Sequence, residues 1–256
     1  DFGTSCSMVA AVHDDGRVEV LELDGRRQVP SVLYVEQDGR VLVGDTAEAL
    51  LLGQTERGLR SPKAFLGQPN PLVLGGRAQP VPALVAEILR FLRDRAAAVV
   101  GPIDAVCIAH PADWNRRQLD QLREAVELAG MGGAELVAEP IAAACALSDA
   151  DAPPVGGNLF VFDLGGGTFD CAILHRTERT YQVVGRPLGD RGLGGDLFDE
   201  ALMTHVGTTA LDAQAWDRIC SGDDPAWVRA AAALRVEVRR AKELLSRHPC
   251  AQRSQR

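Results

Sequence analysis

Hydrophobic and polar positions change period several times along the chain, and each change marks a new element. Residues 1 to 12, DFGTSCSMVAAV, read as a turn followed by a strand. VEVLEL, SVLYVEQ and VLVG follow as short apolar runs broken by DG and GR pairs, which predicts a β-meander. Residues 46 to 57 (TAEALLLGQTER) predict a helix, and SPKAFLGQP a loop with a short turn. From 81 to 99, apolar residues recur at helical spacing among good helix formers. DAVCIAHP reads as a buried strand stopped by its proline. Residues 114 to 130 read as an amphipathic helix with Leu119, Leu122, Val126 and Ala129 on one side. ELVAEP predicts a strand and PIAAACALSDA a small-residue helix, and DAPPVGG at 151 to 157 has the composition of a boundary.

The second half opens on LFVFDLGGGTFDCAIL, residues 159 to 174, where two apolar runs flank Gly165, Gly166 and Gly167. Runs of this length, rich in Phe, Val and Ile, predict buried strands. TYQVVGRPL predicts another strand, GDRGLGGD a second glycine-rich loop, and a helix begins near Leu197. Asp224 to Ser246 is strongly helical in pattern. Strands, crossover helices, then strands and helices again predict an α/β fold of two lobes.

Three consecutive glycines give backbone freedom and allow close approach to the main chain. With an aspartate before them and Thr168 and Asp170 after, the turn offers bare N–H groups, a hydroxyl and two carboxylates. That inventory suits a phosphate accompanied by a divalent cation. The start of the chain echoes it: DFGTSCSMVAAV beside DLGGGTFDCAIL has Asp, a large apolar residue and Gly, then small residues and a strand. Two such turns would clamp a polyphosphate, with backbone N–H groups on its oxygens. Asp1 and Asp163 would hold a hydrated Mg²⁺, which prefers oxygen ligands and keeps several waters. The alternative is a pair of ordinary hairpins. No GK[ST] follows the glycines, and neither loop fits GxGxxG with a downstream acid, so a P-loop and a dinucleotide site are both disfavoured.

Composition narrows the setting. The chain has 256 residues, 46% of them hydrophobic, which suits two domains or one large α/β unit. A formal net charge of −8 disfavours nucleic acid and anionic membranes as partners, and no apolar run is long enough to span a bilayer. Six scattered cysteines, none in a CxxC pair, predict buried reduced thiols and a cytoplasmic protein. None of the five histidines sits in a ligand pattern, so zinc and haem are not expected. Asp1 reads as the end of a strand, and the polar tail HPCAQRSQR adds no closing element, so a fragment, or a natural protein lacking its last elements, is expected.

DFGTSCS and FDLGGGTFD resemble the two phosphate loops of the actin-like ATPase superfamily. HPADWNRRQLDQLREAVELAGM, VAEPIAAACAL, GDRGLGGDLFDEAL and RAKELLS, in that order, narrow the resemblance to seventy-kilodalton heat-shock chaperones of DnaK type. The resemblance implies an α/β, two-lobed actin-like ATPase fold, related to ribonuclease H and truncated in its second lobe. Lobe I would span 1–152, with the meander subdomain at about 34–98; lobe II would span 156–256, with the loop-2 hairpin at 158–190 and a helical part at 191–256. It implies ATP/ADP and Mg²⁺ as ligands, with Asp1 and Asp163 near the metal. Gly3, Thr4 and Ser5 would form the first loop, and Gly165, Gly166, Gly167 and Thr168 the second. Lys63 would reach the terminal phosphate, Glu139 and Asp170 would lie near the attacking water, and Thr168 would join them as a catalytic residue. Gly194 and Gly195 would line the nucleotide, and Lys242 and Ser246 would serve the adenosine.

The resemblance also implies a J-domain-type co-chaperone, a nucleotide-exchange factor, and client polypeptides held by a C-terminal region. Three departures stand out. Glu243 sits where some relatives carry a basic residue, the meander is short, and the second adenosine motif is absent. They raise an alternative, a degenerate nucleotide-sensing or scaffold module. A small-molecule kinase on the same fold is disfavoured because no acceptor-substrate segment is visible.

Overall fold

The computed structural model describes residues 1–51, 55–148, 150–222 and 224–247. The first strands are β1 (Cys6–Ser7), β2 (Ala10–Val12), β3 (Val18–Val20), β4 (Val29–Pro30), β5 (Val32–Val35) and β6 (Val41–Val43). Helix α1 (Asp45–Leu51) covers the start of the helix predicted over 46–57. Residues 52–54 lie outside the described residues, and Thr55–Arg57 form a 3₁₀ turn, so no single helix runs to 57 among them. β7 (Gly58–Arg60) follows, then the 3₁₀ turn Pro62–Phe65 and the hairpin β8 (Leu72–Leu74) and β9 (Arg77–Gln79). The strands pair as β1–β4, β2–β3, β6–β5–β7 and β8–β9, all antiparallel but in four separate sheets. The expected single meander of consecutive strands is therefore not what forms: β1 reaches past two strands to β4, and β5 lies between β6 and β7.

α2 (Val81–Val100) matches its predicted span and stops at Gly101, whose φ of 85° no β-branched residue would take readily. After β10 (Cys107–His110) comes α3 (Arg116–Leu128). Asn115 caps α3: its side chain accepts from the Gln118 amide while the Gln118 side chain accepts from the Asn115 amide, both at 3.1 Å. Of the predicted face Leu122, Val126 and Ala129 are buried and Leu119 only partly so, while Ala125 and Gln118 are buried with them. α2 and α3 pack together over a core that includes Phe2, Leu33, Val85, Ile88 and Leu122. Truncating a fully buried leucine of this kind costs about 2–5 kcal/mol.

β11 (Glu135–Ala138) runs parallel to β10 and leads directly into α4 (Glu139–Cys145). DAVCIAHP is less buried than its apolar content predicts. Only Ile108 of β10 is buried, because a two-stranded sheet leaves much of each strand uncovered. The thiols differ from expectation in the same way. Cys107, Cys145 and Cys220 are exposed, Cys6 and Cys171 are half-buried, and all five are free; Cys250 lies outside the described residues.

β12 (Asn158–Leu164), β13 (Phe169–Arg176) and β14 (Tyr181–Asp190) form an antiparallel sheet around the triple-glycine turn. β14 absorbs Gly189 and Asp190, which the sequence assigns to a loop. The sheet is buried on one side only, which corrects the expectation of fully buried strands. Leu159, Val161, Leu174, Tyr181 and Val183 pack with Ile141 and Ala144 of α4. The alternating residues Phe160, Phe162, Leu164, Ile173 and Val184 face outward and are 44–62% exposed. Along the α4 side, the alternation Leu159, Val161, Asp163 and Asp170, Ala172, Leu174 turns from apolar to acidic at the glycine end, where Asp163 and Asp170 stand opposite each other.

α5 (Gly195–Ala210), α6 (Ala213–Ser221) and α7 (Pro225–Leu245) complete the described structure. Asp212 and Asp224 cap α6 and α7 by accepting from the Ala215 and Ala226 amides. Gly207 lets the Trp216 ring lie against α5, where a side chain would collide with it. No described helix is long and apolar enough to cross a membrane.

Replacing Asn115 by Ala removes one half of the α3 capping box and leaves the Gln118 amide without its acceptor. Chemical denaturation is expected to show a loss of about 1 kcal/mol with an unchanged m-value.

Candidate functional site

Three loops meet one another, and glycine makes each approach possible. Reciprocal backbone bonds tie the ends of the first loop: the Met8 N–H donates to the Asp1 carbonyl at 2.9 Å, and the Asp1 amino group donates to the Met8 carbonyl at 2.8 Å. Inside it, the Ser31 hydroxyl donates to the Gly3 carbonyl at 2.8 Å. A side chain on Gly3 would overlap the Cys6 carbonyl, so the loop closes only with glycine there.

The second loop, Gly165–Thr168, is closed by the Gly165 amide donating to the Thr168 carbonyl at 2.8 Å. None of its three glycines takes a left-handed φ. Their reason is proximity, since a Cβ on Gly166 would strike the Ser5 side chain and one on Gly167 would meet Thr4 Cγ2 at 3.2 Å. The third loop docks from the other side. The Gly195 amide donates to the Gly165 carbonyl at 3.0 Å, and the Asp196 amide to the Gly166 carbonyl at 2.7 Å. A Cβ on Gly194 would sit 2.7 Å from the Gly166 carbonyl oxygen, tighter than real Cβ contacts allow. Among the described residues, nothing is hydrogen-bonded to the Gly166 and Gly167 amides.

Lys63 enters from the Pro62–Phe65 turn. That turn is preceded by Ser61 with φ 55°, a left-handed conformation unusual for a non-glycine residue. Lys63 is 5% exposed; its Nζ lies 2.5 Å from Glu139 Oε1 and 5.7 Å from the centroids of both the Phe2 and Trp114 rings. Glu139 is the first residue of α4, so β11 delivers it directly to the site. A cavity of about 100 Å³ is lined by Lys63, Glu139, Thr4, Gly167, Thr168 and Asp170, and also by Asp113, Trp114 and Arg191. A second, of about 280 Å³, is lined by Asp113, Glu139, Asp163, Asp170 and Phe162 among others.

Burial pushes the Asp170 carboxyl above its usual range; the Thr168 hydroxyl opposes this, while Asp113 and Asp163 add to it. Burial lowers His110, helped by the Lys63 charge and opposed by its bond to the Pro111 carbonyl. That bond is 2.8 Å long at Nδ1, and the ring stacks on Trp114 at 6.1 Å. Burial also raises the Cys6 thiol, with Glu48 adding to it, which keeps this first-loop cysteine protonated.

On the far side, α7 grips α5 and the third loop. Asp199 is 2% exposed; Arg239 Nε donates to it at 2.8 Å, and Lys242 Nζ lies 2.7 Å from its other oxygen. Arg239 also reaches Asp196 at 2.6 Å, and Lys242 donates to the Gly195 carbonyl at 2.7 Å. Burial works against the Arg239 charge, yet the Asp199 hydrogen bond and both carboxylates outweigh it and raise its pKa.

The structure therefore brings Gly3, Thr4, Ser5, Gly165, Gly166, Gly167, Thr168, Gly194, Gly195, Lys63, Glu139, Asp163, Asp170 and Lys242 into one neighbourhood. No described contact joins Asp1 to Asp163, and among the described residues the Ser246 hydroxyl bonds to the Lys242 carbonyl of its own helix. No described group of three or more His, Cys, Asp or Glu side chains forms a metal cage. A hydrated Mg²⁺ still suits the donors present, because Asp163 and Asp170 face each other with a repulsion that a divalent cation would relieve. Sequence reasoning missed Asp113, Trp114, Arg191, Asp199 and Arg239. The signal for Arg191 was its place inside the glycine-rich GDRGLGGD segment.

Asp199→Ala leaves Arg239 and Lys242 without their shared counter-ion. A loss of about 2 kcal/mol in chemical denaturation is expected, below the cost of a fully buried pair because Arg239 is 42% exposed.

Comparison with known proteins bears on this arrangement. The family described as Hsp70 protein matches residues 73–252, well over half of the chain. A chaperone protein HscA homolog from Azoarcus sp. (strain BH72) is 33% identical over 96% of this chain and 41% of its own length. Chaperone protein DnaK from Thermotoga petrophila is 34% identical over 79% of this chain and 34% of its own. A HscA homolog from Methylococcus capsulatus is 35% identical over 79% and 36% respectively. The chain thus spans well under half the length of these relatives. The matched segment carries the second and third glycine loops, Glu139 and Lys242. The chain belongs to the Hsp70 protein family.

Proposed function

We propose that this chain is the ATP-binding and ATP-hydrolysing domain of a DnaK-type molecular chaperone. In this reading residues 1–152 belong to one lobe and 156–256 to the other, and nucleotide-driven lobe movement controls a C-terminal region that binds client polypeptides. A J-domain-type co-chaperone, a nucleotide-exchange factor and a cytoplasmic setting belong to the same reading. The observation that carries it is the meeting of three glycine loops beside the buried Lys63–Glu139 pair. That arrangement supplies unbonded amides, a cation and carboxylates within one cleft.

The roles follow from the chemistry. The Gly166 and Gly167 amides and the Thr4, Ser5 and Thr168 hydroxyls would hold phosphate oxygens. Lys63, freed from Glu139, would offset charge on the terminal phosphate. Glu139 and Asp170 would orient a water in line; its oxygen bonds to the terminal phosphorus as the bridging P–O bond breaks and its electron pair leaves with ADP. The released proton passes to a carboxylate, a task suited to Asp170 with its raised affinity for protons. Mg²⁺, held through water near Asp1 and Asp163, would neutralise phosphate charge. Gly194 and Gly195 would line the nucleotide, with Lys242 and Ser246 on the adenosine side.

One observation favours the second reading, a nucleotide-sensing scaffold with little turnover. Lys242 is already committed to Asp199 and Gly195, and Ser246 to its own helix. Calorimetric titration with Mg-ATP, together with single-turnover hydrolysis, separates the two. The ATPase reading expects micromolar or tighter binding, and hydrolysis reduced at least about 100-fold in Lys63→Ala and Thr168→Ala. Binding without hydrolysis in the unmodified chain would favour the scaffold.

Asp170→Asn tests the same site through stability. The raised pKa means that the ionised carboxylate costs stability at neutral pH. The variant is therefore expected to melt about 2 °C higher at pH 7 while hydrolysing more slowly. Its advantage shrinks as pH falls through the raised pKa and disappears below the ordinary value of 3.8, where both folded and unfolded chains carry the proton. Thermal melts across that range give the reading.

A further inference from the structure

The third loop carries a cation that none of these roles uses. Arg191 is the first residue after β14, and its side chain lines the 100 Å³ cavity together with Thr4, Lys63, Gly167 and Thr168. Its root is held firmly. The Gly192 amide donates to Asp190 Oδ1 at 2.8 Å, and three residues on Gly194 is wedged against the second loop. Its head is held loosely. Among the described residues its one charged partner is Asp113, at 3.6 Å, and the side chain is 64% exposed. An exposed pair at that distance contributes almost nothing to stability.

Charge on the cavity wall gives the residue a purpose. Two cations, Lys63 and Arg191, face three carboxylates, Asp113, Glu139 and Asp170. Lys63 is already neutralised by Glu139 at 2.5 Å. Without Arg191, a phosphate entering here would meet one paired lysine and an excess of negative charge. A guanidinium fork, unlike an ammonium, can grip two phosphate oxygens at once.

We propose that Arg191 is a substrate-contacting cation supplied in cis, which leaves Asp113 to grip the terminal phosphate of a nucleoside triphosphate. Asp113 is its counter-ion in the nucleotide-free chain. Because Asp113 also lines the neighbouring 280 Å³ cavity, it has room to turn away when the phosphate takes its place. Arg191 thereby makes the site prefer triphosphate over diphosphate and stabilises the charge that spreads over the phosphoryl oxygens as the bridging bond breaks. The inference rests on the ATPase reading and deepens it.

The test titrates the chain and its Arg191→Ala, Arg191→Lys and Asp113→Asn variants with Mg-ATP and, separately, Mg-ADP, and follows single-turnover hydrolysis and thermal melting. Arg191→Ala is expected to weaken ATP about tenfold or more, leave ADP within about twofold, slow hydrolysis at least about 100-fold and leave the melting temperature unchanged. Arg191→Lys recovers ATP affinity in part and the rate little. Asp113→Asn, by removing the counter-ion, tightens ATP a few-fold and leaves ADP unaffected. Equal losses for ATP and ADP in Arg191→Ala, or no loss for either, would overturn the inference while ADP binding by the unmodified chain left the nucleotide reading standing. Failure of the unmodified chain to bind either nucleotide would overturn both.

Discussion

Close backbone contact among three loops is the constraint on which the rest of this molecule depends. Gly194 lies so near Gly166 and Gly167 that even one methyl group would push the loops apart. Two N–H···O bonds, from Gly195 and Asp196 to the carbonyls of Gly165 and Gly166, set the separation. Ser5 and Thr4 close on the same glycines from the first loop. Everything else in the site is placed relative to that stack. β11 hands Glu139 to it, the Pro62–Phe65 turn hands Lys63 to it, and α7 braces the third loop through Lys242 and Arg239.

The charges around the stack are paired with one another, and the pairing matters for energetics as well as chemistry. Glu139 offsets the desolvation of the buried Lys63, and Arg239 and Lys242 together offset that of the buried Asp199, while the Arg239–Asp196 pair is largely exposed. Asp170 is the exception. Its neighbours Asp113 and Asp163 are like-charged, and burial disfavours its ionised form. A residue that lowers stability in this way at the mouth of a cleft is what an acid–base or cation-binding role requires. The apolar sheet beneath it, with Leu159, Val161 and Leu174 against α4, holds that carboxylate in position.

Much of the fold was legible because its signals are local. The period of 81–99 yielded α2 within a residue, the amphipathic pattern over 114–130 contains α3, and the helical pattern from Asp224 to Ser246 contains α7. The two glycine turns were equally readable as motifs, since Asp, Gly and Thr at short spacing stand out without reference to the rest of the chain. Burial was read less well. Cys107, Cys171 and the outward residues Phe160 and Phe162 were expected inside because strand propensity and apolar content say nothing about which face finds a partner.

By itself, then, the sequence determined most of the longer helices and strands and the family, and it singled out the glycine turns and the polar residues beside them. Periodicity, caps and glycine spacing act over a few positions and survive without knowledge of the fold. Only the tertiary structure decided why the glycines are there, which is proximity rather than a left-handed backbone. It alone paired Lys63 with Glu139 across 76 positions, set Asp113 beside Arg191, and committed Lys242 to Asp199. Those contacts join residues far apart in the chain. Their partners are chosen by how the loops pack, and no local pattern encodes that choice.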